Sequence, residues 1–137
     1  MNVLDENIAE SQRQLLRHWH VSVRQIGQEV GRKGIADAEI IPLLHQLSRP
    51  TFFSRDTDFY RRELCHSAYC LVSLEVGKYE VASFIRRFLQ HPAFSTFPKR
   101  RGSLVRVSHR TIHVWRTRST EERKLTWLYD NGRRSSL

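Results

Sequence analysis

The chain has 137 residues, 39% of them hydrophobic and 27% charged, which is the composition of one soluble globular domain with room for a real core. No apolar run approaches the roughly 18 residues that span a bilayer. Asp5 and Glu6 stand where a signal peptide would be basic, so the expectation is a cytoplasmic protein with no membrane partner. The net charge of +9 is unevenly placed: residues 1–97 hold 12 Lys/Arg against 11 Asp/Glu, and residues 98–137 hold 11 against 3. That division, a near-neutral body over 1–97 and a basic section over 98–137 packed on or extending it, suits a polyanionic partner such as RNA or DNA. A solvated tail, or a segment that docks on an acidic protein, is the alternative.

Val3-Leu4 is a short apolar start that ends at Asp5-Glu6. Asn7 with Glu10 reads as a capping box for a first helix, whose stripe is Ile8, Leu15, Leu16 and Trp19 with Gln12 as a polar interruption. Residues 20–26 alternate and predict a strand. A polar loop with Gly27, Gly31 and Gly34 follows, long enough to form a flexible lip over a site. Asp37 opens a second helix with Ile40, Ile41, Leu44 and Leu47. Pro42 inside that pattern predicts a kink or a later start.

Thr51-Phe52-Phe53 reads as a buried strand that stops at Ser54-Arg55-Asp56-Thr57-Asp58-Phe59, with a short polar helix expected over 59–66. Residues 69–74 form a near-continuous apolar run, as a strand buried on both faces requires. Val81, Phe84, Ile85, Phe88 and Leu89 make a helical stripe. Alternating strands and helices imply right-handed crossovers and a parallel sheet. Residues 104–108 and 111–116 then alternate around His109-Arg110 and predict a β-hairpin, although His-Arg is a poor type I′ pair. Residues 119–129 read as a short helix with Trp127 docked, and 130–137 as a fraying end.

Three segments therefore deliver carboxylates to what looks like one sheet edge: Asp5, Asp37, and Asp56 with Asp58. Each has an ordinary structural role open to it, as an Asx-turn, a helix-dipole partner or a cap. Crowded together they would repel, and a divalent cation removes that penalty. Hard oxygen ligands without His or Cys favour Mg²⁺ or Mn²⁺ over zinc. Cys65 and Cys70, with His66 between them, read as structural thiols rather than half a zinc site.

Leu4-Asp5-Glu6-Asn7, Asp37-x-Glu39-Ile40 and Ser54-Arg55-Asp56-Thr57-Asp58-Phe59, in that order over residues 2–91, resemble the compact PIN-like proteins, small relatives of the VapC-type toxin ribonucleases. The hairpin from Leu104 to Arg116 is similar to that family's β ending. The resemblance implies an α/β, PIN-like three-layer sandwich with a central, mainly parallel sheet, a C-terminal β-hairpin, and a catalytic domain over 1–97. It implies a Mg²⁺- or Mn²⁺-dependent endoribonuclease, the toxin of a toxin–antitoxin pair, with RNA as substrate, a cognate antitoxin as partner, and a homodimer. Asp5, Asp37 and Asp56 match the metal-binding acids, and Asp58 a fourth catalytic acid. Glu6 and Glu39 are secondary acids able to reach the metal through water.

The chemistry open to such a set is in-line phosphodiester hydrolysis by a metal-activated water. Arg55 has two readings, as a guide for substrate phosphate or as a brace for neighbouring carboxylates, the second preferred. Lys99, Arg100, Arg101, Arg106, Arg110, Arg116 and Arg118 form the expected phosphate track. Trp115 is open to base stacking or core packing, whereas Phe52, Phe53 and Phe59 read as core. The competing class is a PIN-fold module without turnover that works through nucleic-acid or protein contacts.

Overall fold

The computed structural model describes residues 1–127. Its strands are β1 (Asn2–Leu4), β2 (Arg24–Gln25), β3 (Thr51–Ser54), β4 (Cys70–Glu75), β5 (Ser103–Ser108), β6 (Thr111–Arg116) and β7 (Arg123–Thr126). The helices are α1 (Glu10–His18), α2 (Ile40–Gln46), α3 (Val81–Gln90) and α4 (Phe97–Arg100). All seven strands form one sheet, in the order β2-β1-β3-β4-β5-β6-β7. The first five run parallel, β6 runs antiparallel to β5, and β7 runs antiparallel to β6.

The register explains the layers. Val3, Phe52, Leu71 and Leu104 lie side by side across four strands, as do Leu4, Phe53, Val72 and Val105. Because successive residues of a strand face opposite ways, the two rows build two cores. The first packs with Ile40 and Leu44 of α2, the second with Leu16 of α1 and Ile85 and Phe88 of α3. The α/β character and the mostly parallel sheet with helices on both faces are as expected. The hairpin extends that same sheet, since β5 pairs with β4.

Several local expectations give way. Asn7 does not cap α1, which starts at Glu10 after Ala9 with no side-chain cap. Residues 5–8 instead turn tightly, with the Ile8 amide donating to Asp5 O. The 20–26 strand shrinks to Arg24–Gln25 plus a bridge at Ile26, because its partner β1 is only three residues long. A 3₁₀ turn over Asp37–Glu39 precedes α2. Pro42 thereby falls in the first turn of α2, where its missing N–H has no intrahelical partner to lose.

Two 3₁₀ turns, Thr57–Phe59 and Arg62–Leu64, replace the polar helix. The expected helix over 119–129 is β7 where it is described, with Trp127 buried and its indole N–H donating to Ser108 O at 2.9 Å. The end over 130–137 lies outside the described residues. Gln12, the polar break in the α1 stripe, is buried and accepts the Ala82 amide at 2.9 Å, so it caps α3 across the layer. Among the described residues no helix is long and apolar enough to cross a membrane.

Candidate functional site

β2 lies on one side of β1 and β3 on the other, so the strand order reverses between β1 and β3. In open parallel sheets the loops diverge at that point and leave a crevice at the carboxyl ends of the strands, where ligands bind. Asp5 leaves β1 there, and Asp56 follows β3. The Asp5 amide donates to Phe53 O at 2.9 Å, which fixes its backbone against the neighbouring strand.

One hydroxyl ties the two acids together. Ser54 Oγ, buried at the end of β3, donates to Asp5 Oδ2 at 2.6 Å and accepts the Asp56 amide at 2.9 Å. The buried Gln25 amide braces the turn that carries Asp5, donating to Asp5 O, Glu6 O and Ile8 O. From β4, Ser73 Oγ donates to Asp56 O at 3.3 Å.

Asp5 is buried, with 9% of its surface exposed. Burial pushes its pKa above the ordinary value, opposed by the Ser54 hydroxyl and the Asn7 and Glu6 amides; the Asp37 charge adds to the upward push. Asp37 is therefore an electrostatic neighbour of Asp5, although a loop and a 3₁₀ turn bring it there. Asp56 is half-buried, and its Oδ1 accepts the Asp58 amide at 2.9 Å, so it also caps the turn after β3. Asp37 and Asp58, both exposed, line a cleft of about 390 Å³ with Ala38, Ile41, Phe59, Arg61 and Leu64.

The structure thus gathers Asp5, Asp37, Asp56 and Asp58 around one end of the sheet. As the side chains stand, no group of three or more His, Cys, Asp or Glu among the described residues is arranged to hold a metal ion. Glu6 and Glu39 are engaged elsewhere. Glu6 accepts the Gly34 amide on both oxygens, at 3.0 and 2.9 Å, and Glu39 accepts the Ala36 amide and pairs with Arg32. Gly27, at φ 87°, makes room for this clasp, since a Cβ there would sit 3.0 Å from Glu6 Oε2. The loop is also fastened by Glu29, which pairs with Arg13 and Arg17 and accepts the Gln25 amide.

The arginines separate into two groups, which corrects the single phosphate track. Arg55 is exposed next to Asp56 and donates to Val76 O at 3.1 Å, a backbone contact rather than the preferred carboxylate brace. Arg106 pairs with Glu75 at 3.6 Å and packs on Tyr60, while Arg110 sits at the hairpin tip; both belong to the carboxyl half of the sheet. Arg100, Arg101 and Arg116 belong to the opposite edge. Arg100 is not a surface residue: its guanidinium is buried, donating to Thr51 Oγ1 at 3.0 Å and Phe94 O at 2.8 Å. Lys99 and Arg118 lie at that same far edge.

Ser54, Gln25 and Arg61 are the residues that pattern reading passed over. Ser54 stood inside the Arg-Asp motif, and a serine two positions before an acid at a strand end was the available signal. Trp115 is half-buried against the α2-side core and carries the Arg62 guanidinium 4.7 Å from its ring. Phe52, Phe53 and Phe59 are core, and Cys65 and Cys70 are free thiols.

No protein-family model, curated protein or solved structure matches this chain.

Proposed function

We propose that this chain is a Mg²⁺- or Mn²⁺-dependent endoribonuclease of the PIN-like kind, acting as the toxin of a toxin–antitoxin pair. The observation that carries the reading is the placement of Asp5 and Asp56 at the carboxyl ends of adjacent parallel strands that flank the point where strand order reverses. The donor chemistry suits the ion. Mg²⁺ is commonly held by one or two carboxylates, with water and substrate phosphate completing the shell, so it does not need a closed cage of protein ligands.

Asp5 and Asp56 would hold the ion, with Asp37 and Asp58 at the cleft beside it. When bound, the ion supplies an activated water at neutral pH and offsets charge on the phosphate in the transition state. The chain's own residues do the rest. Ser54 holds the Asp5 carboxylate in one orientation, and Gln25 fixes the backbone beneath it. Burial makes the ionised form of Asp5 costly without a cation nearby, which favours cation binding. Arg61 in the cleft and Arg55 beside Asp56 provide cations for a phosphodiester. The toxin role and the antitoxin partner follow from the sequence resemblance.

A binding module without turnover is the second reading, and the lack of a three-carboxylate group among the described residues favours it. RNA cleavage in Mn²⁺, Mg²⁺ or EDTA, run beside Asp56→Asn, separates the two. Cleavage that stops in EDTA and in the variant supports the nuclease. RNA binding with no metal-dependent cleavage by the native chain supports the module.

A further inference from the structure

The acids of this chain are unevenly placed relative to the strands, with Glu121 and Glu122 preceding β7 at the end where β6 finishes. No Asp or Glu occurs in residues 11–28, 40–55, 64–74 or 81–120. Those four stretches supply the starts of β2, β3, β4 and β5 and the end of β6, which together make the amino edge of the parallel sheet. From β2 to β6 that edge carries Arg24, Arg49, Lys99, Arg101, Arg116 and Arg118. All are exposed except Arg116, which is half-buried. None of the six pairs with a carboxylate among the described residues.

The cations are set on a firm base. Arg116 Nη1 donates to Lys99 O at 2.6 Å and to Ser103 Oγ at 2.8 Å, and Arg101 Nε donates to Ser67 O at 3.2 Å. Arg49 lies over the Phe97 ring at 5.3 Å. The Thr117 amide donates to Gly102 O, which keeps Arg118 against the start of β5. Arg24 and Arg49 both act electrostatically on the Met1 nitrogen, which places them close together at the β2, β1 and β3 end. From β2 to β6 is five strand spacings, about 24 Å. The strip lies on the opposite side of the sheet from Asp5 and Asp56, about 13 Å away along β3.

We propose that this amino edge is a docking strip for a nucleic-acid backbone, separate from the acid site at the other end. Five of the six cations are arginines, whose planar forks match phosphate oxygens. A protein partner would be anchored by apolar and aromatic side chains at the interface centre. The exposed large hydrophobics among the described residues are Met1 and Tyr79, and only Met1 is at this edge. Dense positive charge without apolar anchors is the composition of a nucleic-acid interface. At an axial rise of about 3.4 Å per nucleotide in a stacked strand, the strip matches about seven nucleotides.

The test uses the full chain in EDTA throughout, so that binding is read without cleavage and independently of the proposed nuclease. A labelled single-stranded RNA of about 12 nucleotides is titrated at several salt concentrations, with an expected log–log slope of about −4 from six phosphate contacts. Arg24→Ala/Arg101→Ala/Arg118→Ala should weaken binding at least about tenfold and flatten the slope by about 2, at unchanged melting temperature. Arg118→Glu alone, at an exposed position, should shift affinity the same way. Lys78→Ala, an exposed cation after β4 at the other end of the sheet, should bind RNA as the native chain does.

Unchanged affinity and slope in the triple variant would overturn the proposal. Displacement of the RNA by polyglutamate or by anionic lipid vesicles, as effectively as by unlabelled RNA, would overturn the nucleic-acid assignment in favour of an acidic protein or a membrane surface.

Discussion

The Ser54 hydroxyl donates to Asp5 Oδ2 at 2.6 Å across the gap between β3 and β1. Since the same oxygen accepts the Asp56 amide, one side chain sets the relation between the two acids at the reversal of strand order. Ser54→Ala should therefore lower metal-dependent cleavage about tenfold, the usual cost of losing a residue that orients a metal ligand. Ser54→Thr, which keeps the hydroxyl, should retain most of it. Cleavage rates of the two variants side by side check this, and equal losses would assign the effect to packing instead.

The pH dependence of stability has a definite sign at Asp5. Its native pKa is raised from 3.8, so the folded state holds the proton more tightly than the unfolded state. The contribution is fully present below the unfolded value and is lost as pH rises through the native one. Asp5→Asn, which keeps an acceptor for Ser54, should remove this fall. In metal-free urea titrations the variant should gain stability relative to the native chain as pH rises from about 3 to 7. A difference that stays constant with pH would show that Asp5 is not the titrating group.

Arg100 separates structure from substrate binding. Its buried guanidinium joins the start of β3 to Phe94, so Arg100→Met should cost about 2–3 kcal/mol through the unpaired Thr51 hydroxyl and Phe94 carbonyl. RNA affinity in EDTA should change less than about twofold, since Arg100 is not among the exposed cations of the strip. Denaturation midpoints and RNA titration on the same samples decide it.

Gln12 makes a parallel case. Gln12→Ala should cost about 1 kcal/mol by leaving the Ala82 amide unpaired at the α3 N-terminus. Gln12→Glu, which keeps an acceptor oxygen, should recover part of it. Chemical denaturation of both variants measures the difference.

What was legible in the sequence was local. Phe52 and Phe53 read as a buried strand because adjacent aromatics need apolar surroundings on both faces, and the sheet provides them. Asp5 and Asp56 read as strand-end acids because each apolar run stops sharply before them. What escaped depends on distant partners. Arg100 sits in the run Lys99-Arg100-Arg101, which reads as surface, and only Thr51 and Phe94 draw it inward. Residues 119–129 read as a short helix, but an edge strand with one solvated face accommodates Arg123 and Lys124 equally well as β7. The acid-poor amino edge from β2 to β6 is written in the sequence as four acid-free stretches, yet these have no meaning until the strand order is known.

The most direct test of the account is Mn²⁺ binding to the native chain, Asp5→Asn and Asp56→Asn, followed by the loss of the free-ion electron paramagnetic resonance signal. The account predicts that the native chain binds the ion and that each substitution weakens binding at least about tenfold. No binding by the native chain, or native affinity retained in both variants, would contradict a metal site between β1 and β3.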